Sequence, residues 1–160
     1  MVILSQSNIA YNRLMKIAVS ACLLGEKCRY DGTDRFNEEL YELLKGHTVV
    51  PVCPEVMGGL SVPHEPCEIK GNYVYTRDGK DITDYIMLGV SNSLEMYYGY
   101  DCDFAILKTK SPSCGKGQTY DGTYNGQLIE GDGLLVRELK GDNEEVFTEE
   151  EIEKIRLYLR

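Results

Sequence analysis

Three short apolar runs place the strongest constraint on how this chain can fold. They cover residues 17–21, 48–52 and 103–107, and each leads into a loop that contains a cysteine followed within three residues by a glycine or a proline. Helical patterns separate them, which is typical of the strands of a parallel sheet. We therefore predict an α/β domain with a small, doubly wound, mostly parallel sheet and helices on both of its faces.

The cysteines that follow these runs suggest a shared metal site. Cys22, Cys53 and Cys114 come after the first, second and third run. Because the carboxyl ends of parallel strands face one crevice, their thiols are expected to meet there. The sequence has no close Cys-x-x-Cys pair of the kind that structural zinc sites use. Three thiolates favour an iron–sulfur cluster with one iron left open, which can act as a Lewis acid on a substrate atom.

The remaining cysteines and the histidines are weaker candidates. Cys102 precedes the third run at the end away from the crevice, so we predict that it packs in the core. Cys28 and Cys67 lie in loops near the predicted crevice, where either could be a fourth ligand or a resolving thiol. His64 lies in a Gly- and Pro-rich loop and could also reach the metal. His47 lies at the wrong end of its strand.

Two polar residues close to the cysteines are candidates for catalysis. Glu55 follows Cys53 by two positions, where a carboxyl group could carry protons. Ser111 precedes Cys114 by three positions and could bind or orient a substrate. The pattern alone leaves open that Glu55 is a solvated loop carboxylate.

The other predicted elements follow from hydrophobic periodicity and turn residues. We predict a β-hairpin of 68–70 and 73–76, a strand at 145–147, helices at 132–140 and at the C-terminus, and a loop from Cys114 through Thr123. Thr33 or Asp34 should cap a first helix, and Thr148 with Glu151 should form a capping box for the last one. A long helix capped by Asp81 or Thr83 should bury one stripe of side chains. That stripe consists of Ile86, Met87, Val90, Leu94 and Tyr97.

Size and charge narrow the function. The chain has 160 residues and a formal charge of −9, which suits one domain and counts against stable binding of nucleic acid. We assign residues 1–14 to an N-terminal extension and 15–160 to the domain. No apolar run approaches the roughly 20 residues that span a bilayer. Cysteines without signs of secretion favour the reducing cytoplasm.

The cysteine blocks resemble those of the thiouracil desulfurase family. The resemblance rests on Ser20–Gly25 with Arg29–Gly32, on Pro51–Glu55 with Gly58–Leu60, and on Lys108–Gly115. It implies a [4Fe–4S] cluster bound by Cys22, Cys53 and Cys114. It also implies non-redox removal of sulfur from 2-thiouracil or a similar thiolated nucleobase or nucleoside. The substrate sulfur would bind at the open iron while water replaces it. Position in the motif assigns proton transfer to Glu55 and contact with the pyrimidine ring to Ser111.

Two other functions compete with this interpretation. One is sulfur transfer in the opposite direction, as in the thiolation of tRNA or nucleosides, although the acidic charge counts against a tRNA-binding face. The other is a non-catalytic module that binds zinc or another metal.

Overall fold

The structure is a computed structural model that describes residues 13–160. The predicted extension at 1–14 therefore lies almost entirely outside the described residues. Of its last two members, Arg13 forms an ion pair of 2.8 Å with Asp103. Within residues 13–160, no helix is both long enough and apolar enough to cross a membrane.

Four parallel strands form the central sheet, and two antiparallel ribbons accompany it. In chain order the elements are β1 (Lys16–Ser20), α1 (Glu38–Leu43), β2 (Thr48–Val52), α2 (Pro54–Met57), β3 (Cys67–Lys70), β4 (Tyr73–Thr76), α3 (Thr83–Gly99), β5 (Phe104–Leu107), β6 (Gln118–Tyr120), β7 (Leu128–Glu130), α4 (Leu134–Gly141), β8 (Val146–Thr148) and α5 (Ile152–Tyr158). The sheet has the order β2-β1-β5-β8, with β3–β4 and β6–β7 as the ribbons.

Helices cover both faces of the sheet, as predicted. Along β1, Ala18 faces a cluster that includes the buried side chains of α3 and α4. Its neighbours Ile17 and Val19 face a second cluster that includes Leu40 of α1 and Ile155 of α5. This alternation follows from the two-residue period of a strand, which sends successive side chains to opposite faces.

The strand order defines where a ligand is expected to bind. The chain passes from β1 to β2 on one side and then returns to β5 on the other side of β1. In open parallel sheets, the crevice at such a reversal, outside the carboxyl ends of the strands, is the usual binding place. All three predicted cysteine loops leave the sheet at this end.

The first helix begins later than predicted. The side-chain oxygen of Asn37 accepts a hydrogen bond of 2.9 Å from the backbone N–H of Leu40, so Asn37 is the N-cap. The prediction of Thr33 or Asp34 is wrong because Asp34 instead accepts from the N–H of Phe36 at 2.9 Å. Short polar side chains form such local turns as readily as helix caps.

The predicted cap of α3 is also wrong. Ile82 rather than Asp81 or Thr83 is the N-cap, and the carboxylate of Asp81 instead accepts from the N–H of Thr83 at 2.9 Å.

Two further details of the helices differ from the prediction. Ile86, Val90 and Tyr97 of α3 are buried, but Met87 is 39% exposed and Leu94 is half-buried, so the buried stripe is narrower than predicted. The prediction of a capping box at the start of α5 is also wrong, because no side chain caps that helix. Thr148 ends strand β8, and the carboxylate of Glu151 forms an ion pair of 2.9 Å with Lys116 instead.

The segment after Cys114 is not a plain loop, because β6 and β7 form an antiparallel ribbon there. The Tyr-Asp-Gly-Thr sequence in this region repeats an earlier one at 30–33. Asp31 accepts hydrogen bonds from the N–H and the hydroxyl of Thr33, and Asp121 accepts the same pair from Thr123. The repeat is therefore a recurring Asp-Gly turn.

A glycine contact fixes the short helix α2 against α3. A Cβ at Gly89 would overlap the carbonyl oxygen of Pro54, and one at Gly58 would overlap that of Tyr85. The side-chain amide of Asn92 donates to the carbonyl of Met57 at 2.8 Å. Since α2 directly follows Cys53, this contact also positions that thiol.

We expect Gly89→Ala to destabilise the protein by on the order of 3 kcal/mol, because backbone atoms would have to move. Gly99→Ala is the matched control. Gly99 ends α3, and a Cβ added there would meet no atom within 4 Å, while alanine favours a helix. Urea unfolding of both variants measures the difference. Equal stability of the two variants would contradict the close contact of α2 with α3.

Candidate metal centre

A cavity of about 580 Å³ lies at the carboxyl ends of β1, β2 and β5. Five of the six cysteines line it: Cys22, Cys28, Cys53, Cys67 and Cys114. The sixth, Cys102, is buried in the core as predicted. The parallel strands thus bring together thiols that are far apart in the sequence. Cys22 and Cys114, for example, are 92 positions apart (114 − 22).

Cys22 lies in a tight turn directly after β1. The turn is a 3-10 helix, Ala21–Leu24, closed by Gly25 with a φ of 95° that suits glycine. The carbonyl oxygen of Cys22 accepts a hydrogen bond of 2.8 Å from the N–H of Arg35. Cys22 is 7% exposed, so the turn holds its thiol at the inner wall of the cavity.

Cys53 is the residue that precedes α2. Its backbone is extended, and Pro54 takes the first helical position, where its fixed φ favours the helix. The N–H of Met57 donates to the carbonyl of Cys53 at 2.9 Å. The thiol of Cys53 donates to the carbonyl oxygen of Cys28 at 3.9 Å. Cys28, whose thiol also lines the cavity, is therefore a neighbour of one of the predicted ligands.

The loop that carries Cys114 is bound to the start of α4. The hydroxyl oxygen of Ser111 accepts from the N–H groups of Ser113 at 3.2 Å and Cys114 at 3.1 Å. The first N–H groups of the helix, on Leu134 and Leu135, donate to loop carbonyls at 3.1 and 2.9 Å. These bonds pair helix donors that would otherwise lack partners and fix the position of Cys114.

The pKa of two of the predicted ligand thiols, those of Cys53 and Cys114, is raised. Burial raises the pKa of Cys114 to about 12, although hydroxyl donors from Ser20 and Ser113 oppose the rise. The hydrogen bond with Cys28, together with burial, raises the pKa of Cys53 far above its ordinary value. A metal that binds these thiols must therefore displace their protons.

Glu55 lies on the same cavity and is the only predicted catalytic carboxylate. The thiol of Cys67 donates to its carboxyl oxygen at 3.4 Å. Burial raises the pKa of Glu55, while nearby His64, the Cys67 donor and Arg29 oppose this rise. A carboxyl group with a raised pKa exchanges protons closer to neutral pH, as proton transfer requires.

The structure places His64 on a second cavity, of about 420 Å³, rather than on the cysteine cavity. Its backbone N–H donates to the carbonyl of Tyr30 at 2.8 Å, and its Nδ1 lies 2.8 Å from the carbonyl of Glu65. Since a carbonyl only accepts, Nδ1 is the donor in this contact.

Sequence reasoning missed a set of basic side chains on the cysteine cavity. They are Arg29, Arg35, Arg77, Lys108 and Lys110. Their positions in the sequence could have indicated this set. Arg29 belongs to the first cysteine block, and Lys108 and Lys110 lie between β5 and Cys114. The net charge of −9 obscured it, since a net charge says nothing about how charges are distributed.

The three predicted ligands fit a cluster better than a single ion. Among residues 13–160, no three His, Cys, Asp or Glu side chains are grouped to bind one metal ion. An iron–sulfur cluster distributes its cysteines over several irons and therefore needs them further apart. Cys22, Cys53 and Cys114 reach one cavity from three separate loops, an arrangement that could place one thiolate on each of three irons.

Comparison with known proteins identifies the family. A model of the 2-thiouracil desulfurase family matches residues 17–151, a segment that contains all the cysteines. The chain belongs to this family. The family resemblance seen in the sequence blocks is therefore confirmed.

Two relatives of the chain extend the comparison. A solved structure of TudS, described as a [4Fe-4S]-dependent thiouracil desulfidase, is 37% identical and has a TM-score of 0.85. The alignment covers 91% of this chain and 97% of that chain. A Bacillus subtilis (strain 168) protein named "Uncharacterized protein YbbK" is 36% identical over 149 residues, which is 87% of this chain and 99% of the relative. The likeness to TudS confirms the predicted α/β fold.

Proposed function

We propose that this protein is a [4Fe–4S]-dependent enzyme that removes sulfur from 2-thiouracil or a similar thiolated pyrimidine. The observation that carries the proposal is the convergence of Cys22, Cys53 and Cys114 on one cavity. Family membership and the likeness to TudS support both the reaction class and the cofactor.

The three cysteines would hold the cluster, one from each loop at the carboxyl end of the sheet. When bound through three thiolates, a [4Fe–4S] cluster supplies a Lewis-acidic iron with a free coordination position. The overall reaction converts the thiocarbonyl group and water to a carbonyl group, hydrosulfide and a proton. The reaction needs no electron donor or acceptor.

Glu55 is the group that we assign to proton transfer. Its carboxyl group takes a proton from the attacking water and returns one as the sulfur leaves. The support is its half-buried position on the cysteine cavity and its freedom from any ion pair among residues 13–160. Ser111 is assigned to contact with the pyrimidine ring, since its hydroxyl lies beside the backbone of Cys114 at the cavity.

The proposal also assigns residues 15–160 to one catalytic domain and the protein to the cytoplasm. None of the six cysteines forms a disulfide, in keeping with a reducing compartment. The partner is a small thiolated nucleobase or nucleoside rather than a nucleic acid, in keeping with the acidic charge.

Anaerobic reconstitution tests the function directly. We expect protein treated with iron and sulfide, then desalted, to release sulfide and uracil in equal amounts from 2-thiouracil. Protein carried through the same steps without iron is the control. Stoichiometric zinc with no iron, or a reconstituted cluster that releases no sulfide, would contradict the proposal.

A further inference from the structure

Two buried serine hydroxyls lie at the wall of the cysteine cavity that carries Cys114. The hydroxyl of Ser113 donates a hydrogen bond to the sulfur of Cys114 at an oxygen–sulfur distance of 3.7 Å. Ser113 is 1% exposed, and Ser20, at the end of β1, is 3% exposed, so both are largely shielded from bulk water. Both residues line the same cavity as Cys114. Hydroxyl donors are therefore built into the surroundings of this sulfur.

The hydrogen bonds around Ser111 direct the hydroxyl of Ser113 towards the sulfur. The Ser111 oxygen accepts from the N–H groups of Ser113 at 3.2 Å and Cys114 at 3.1 Å, and these two bonds occupy its lone pairs. In the 3.0 Å contact between the two serine oxygens, Ser111 is therefore the donor and Ser113 the acceptor. The hydrogen of Ser113 is left for the sulfur of Cys114.

Ser20 is arranged in a similar way. Its oxygen accepts from the N–H of Lys108 at 2.9 Å, so its hydrogen remains available to a second partner. Burial raises the pKa of the Cys114 thiol, and hydrogen bonds from Ser20 and Ser113 oppose that rise. This opposition is what donors that stabilise a thiolate produce.

These donors distinguish Cys114 from the other two predicted ligands. The side-chain hydrogen bond of Cys53 runs from its own thiol to the carbonyl oxygen of Cys28 at 3.9 Å. Among residues 13–160, no hydroxyl donates a hydrogen bond to the sulfur of Cys22 or Cys53. Hydrogen bonds to cysteine sulfur are one of the means by which a protein sets the reduction potential of an iron–sulfur cluster.

We propose that Ser113 and Ser20 are positioning residues whose hydroxyls donate to the sulfur of Cys114 and raise the reduction potential of the cluster bound through it. This inference rests on the cluster of the proposed function. Reduction adds an electron to the cluster, and a donor at a ligand sulfur stabilises the added negative charge. Neither hydroxyl is a ligand to iron, so removing one should leave iron uptake unchanged.

Potentiometric titration of the anaerobically reconstituted protein, with dithionite as the reductant and without substrate, tests the inference. We expect Ser113→Ala to disfavour one-electron reduction of the cluster by on the order of tenfold, the usual contribution of a hydrogen bond. For one electron, tenfold corresponds to a potential about 59 mV more negative. Ser20→Ala should shift the potential in the same direction, and the double variant should shift it further than either one.

Ser93→Ala is the matched control. Ser93 is also 1% exposed, but its hydroxyl donates to the carbonyl of Gly89 at 2.7 Å within α3, and it does not line the cavity. The potential of this variant should equal that of the wild type. A shift as large as that of Ser113→Ala would overturn the inference, because it would indicate loosened packing rather than a lost donor.

An unchanged potential in Ser113→Ala would also overturn the inference. If that variant failed to take up iron, Ser20→Ala would decide, and an unchanged potential there would overturn it equally. A wild type that holds the cluster but releases no sulfide from 2-thiouracil would contradict only the proposed reaction. Unchanged potentials together with normal sulfide release would contradict only the role of the two serines.

Discussion

Replacing Cys22, Cys53 or Cys114 with alanine should in each case abolish sulfide release and prevent reconstitution of a complete cluster. The reason is that each thiol reaches the cavity from a different loop. Changing even an outer-shell partner of a metal site costs about 10–100-fold in affinity, so loss of a ligand should exceed about 100-fold. Iron and labile sulfide per chain, together with sulfide release, measure the effect.

Cys102→Ala is the matched control for these variants. Cys102 is buried outside the cavity, so the substitution should cost about 1 kcal/mol of stability and leave the iron content unchanged. Full iron loading in any of the three ligand variants would contradict the assignment of that cysteine. Loss of iron in Cys102→Ala would show that the effect reflects folding rather than coordination.

Replacing Glu55 with glutamine should lower kcat by about 10²–10⁴-fold, the usual contribution of a positioned acid or base. Glutamine keeps the size of the side chain but cannot transfer a proton. The cluster should load normally, because the carboxyl group is not one of the assigned ligands. Single-turnover release of sulfide under anaerobic conditions measures the chemical step separately from product release.

Glu65→Gln is the control for Glu55→Gln, because Glu65 is an exposed carboxylate ten positions further along the chain. We expect its turnover to equal that of the wild type. Wild-type turnover in Glu55→Gln, with the cluster intact, would remove Glu55 from the mechanism.

The sequence was sufficient to predict the position of the cysteines because parallel topology leaves few alternatives. Cys22 and Cys53 follow apolar runs that are typical of strands, and the carboxyl ends of parallel strands share one edge of the sheet. Pro51, which cannot donate a ladder hydrogen bond, is compatible with the edge position of β2.

The sequence could not predict features for which several polar groups compete for the same hydrogen bond. Asn37 rather than Thr33 or Asp34 caps α1, because Asp34 satisfies a nearer N–H. The short strands β6 and β7 lack a hydrophobic alternation that would distinguish them from a loop. That Arg29 Nη1 is buried and has no acceptor among residues 13–160 becomes visible only when every neighbouring acceptor has a position.

Mössbauer spectroscopy of protein reconstituted anaerobically with ⁵⁷Fe most directly tests the claim that three thiolates hold a cluster with one iron free. A cluster held by three cysteines predicts one iron site that is distinct from the other three. The signal of this one site should change when 2-thiouracil is added. Four equivalent irons that do not respond to 2-thiouracil would contradict it.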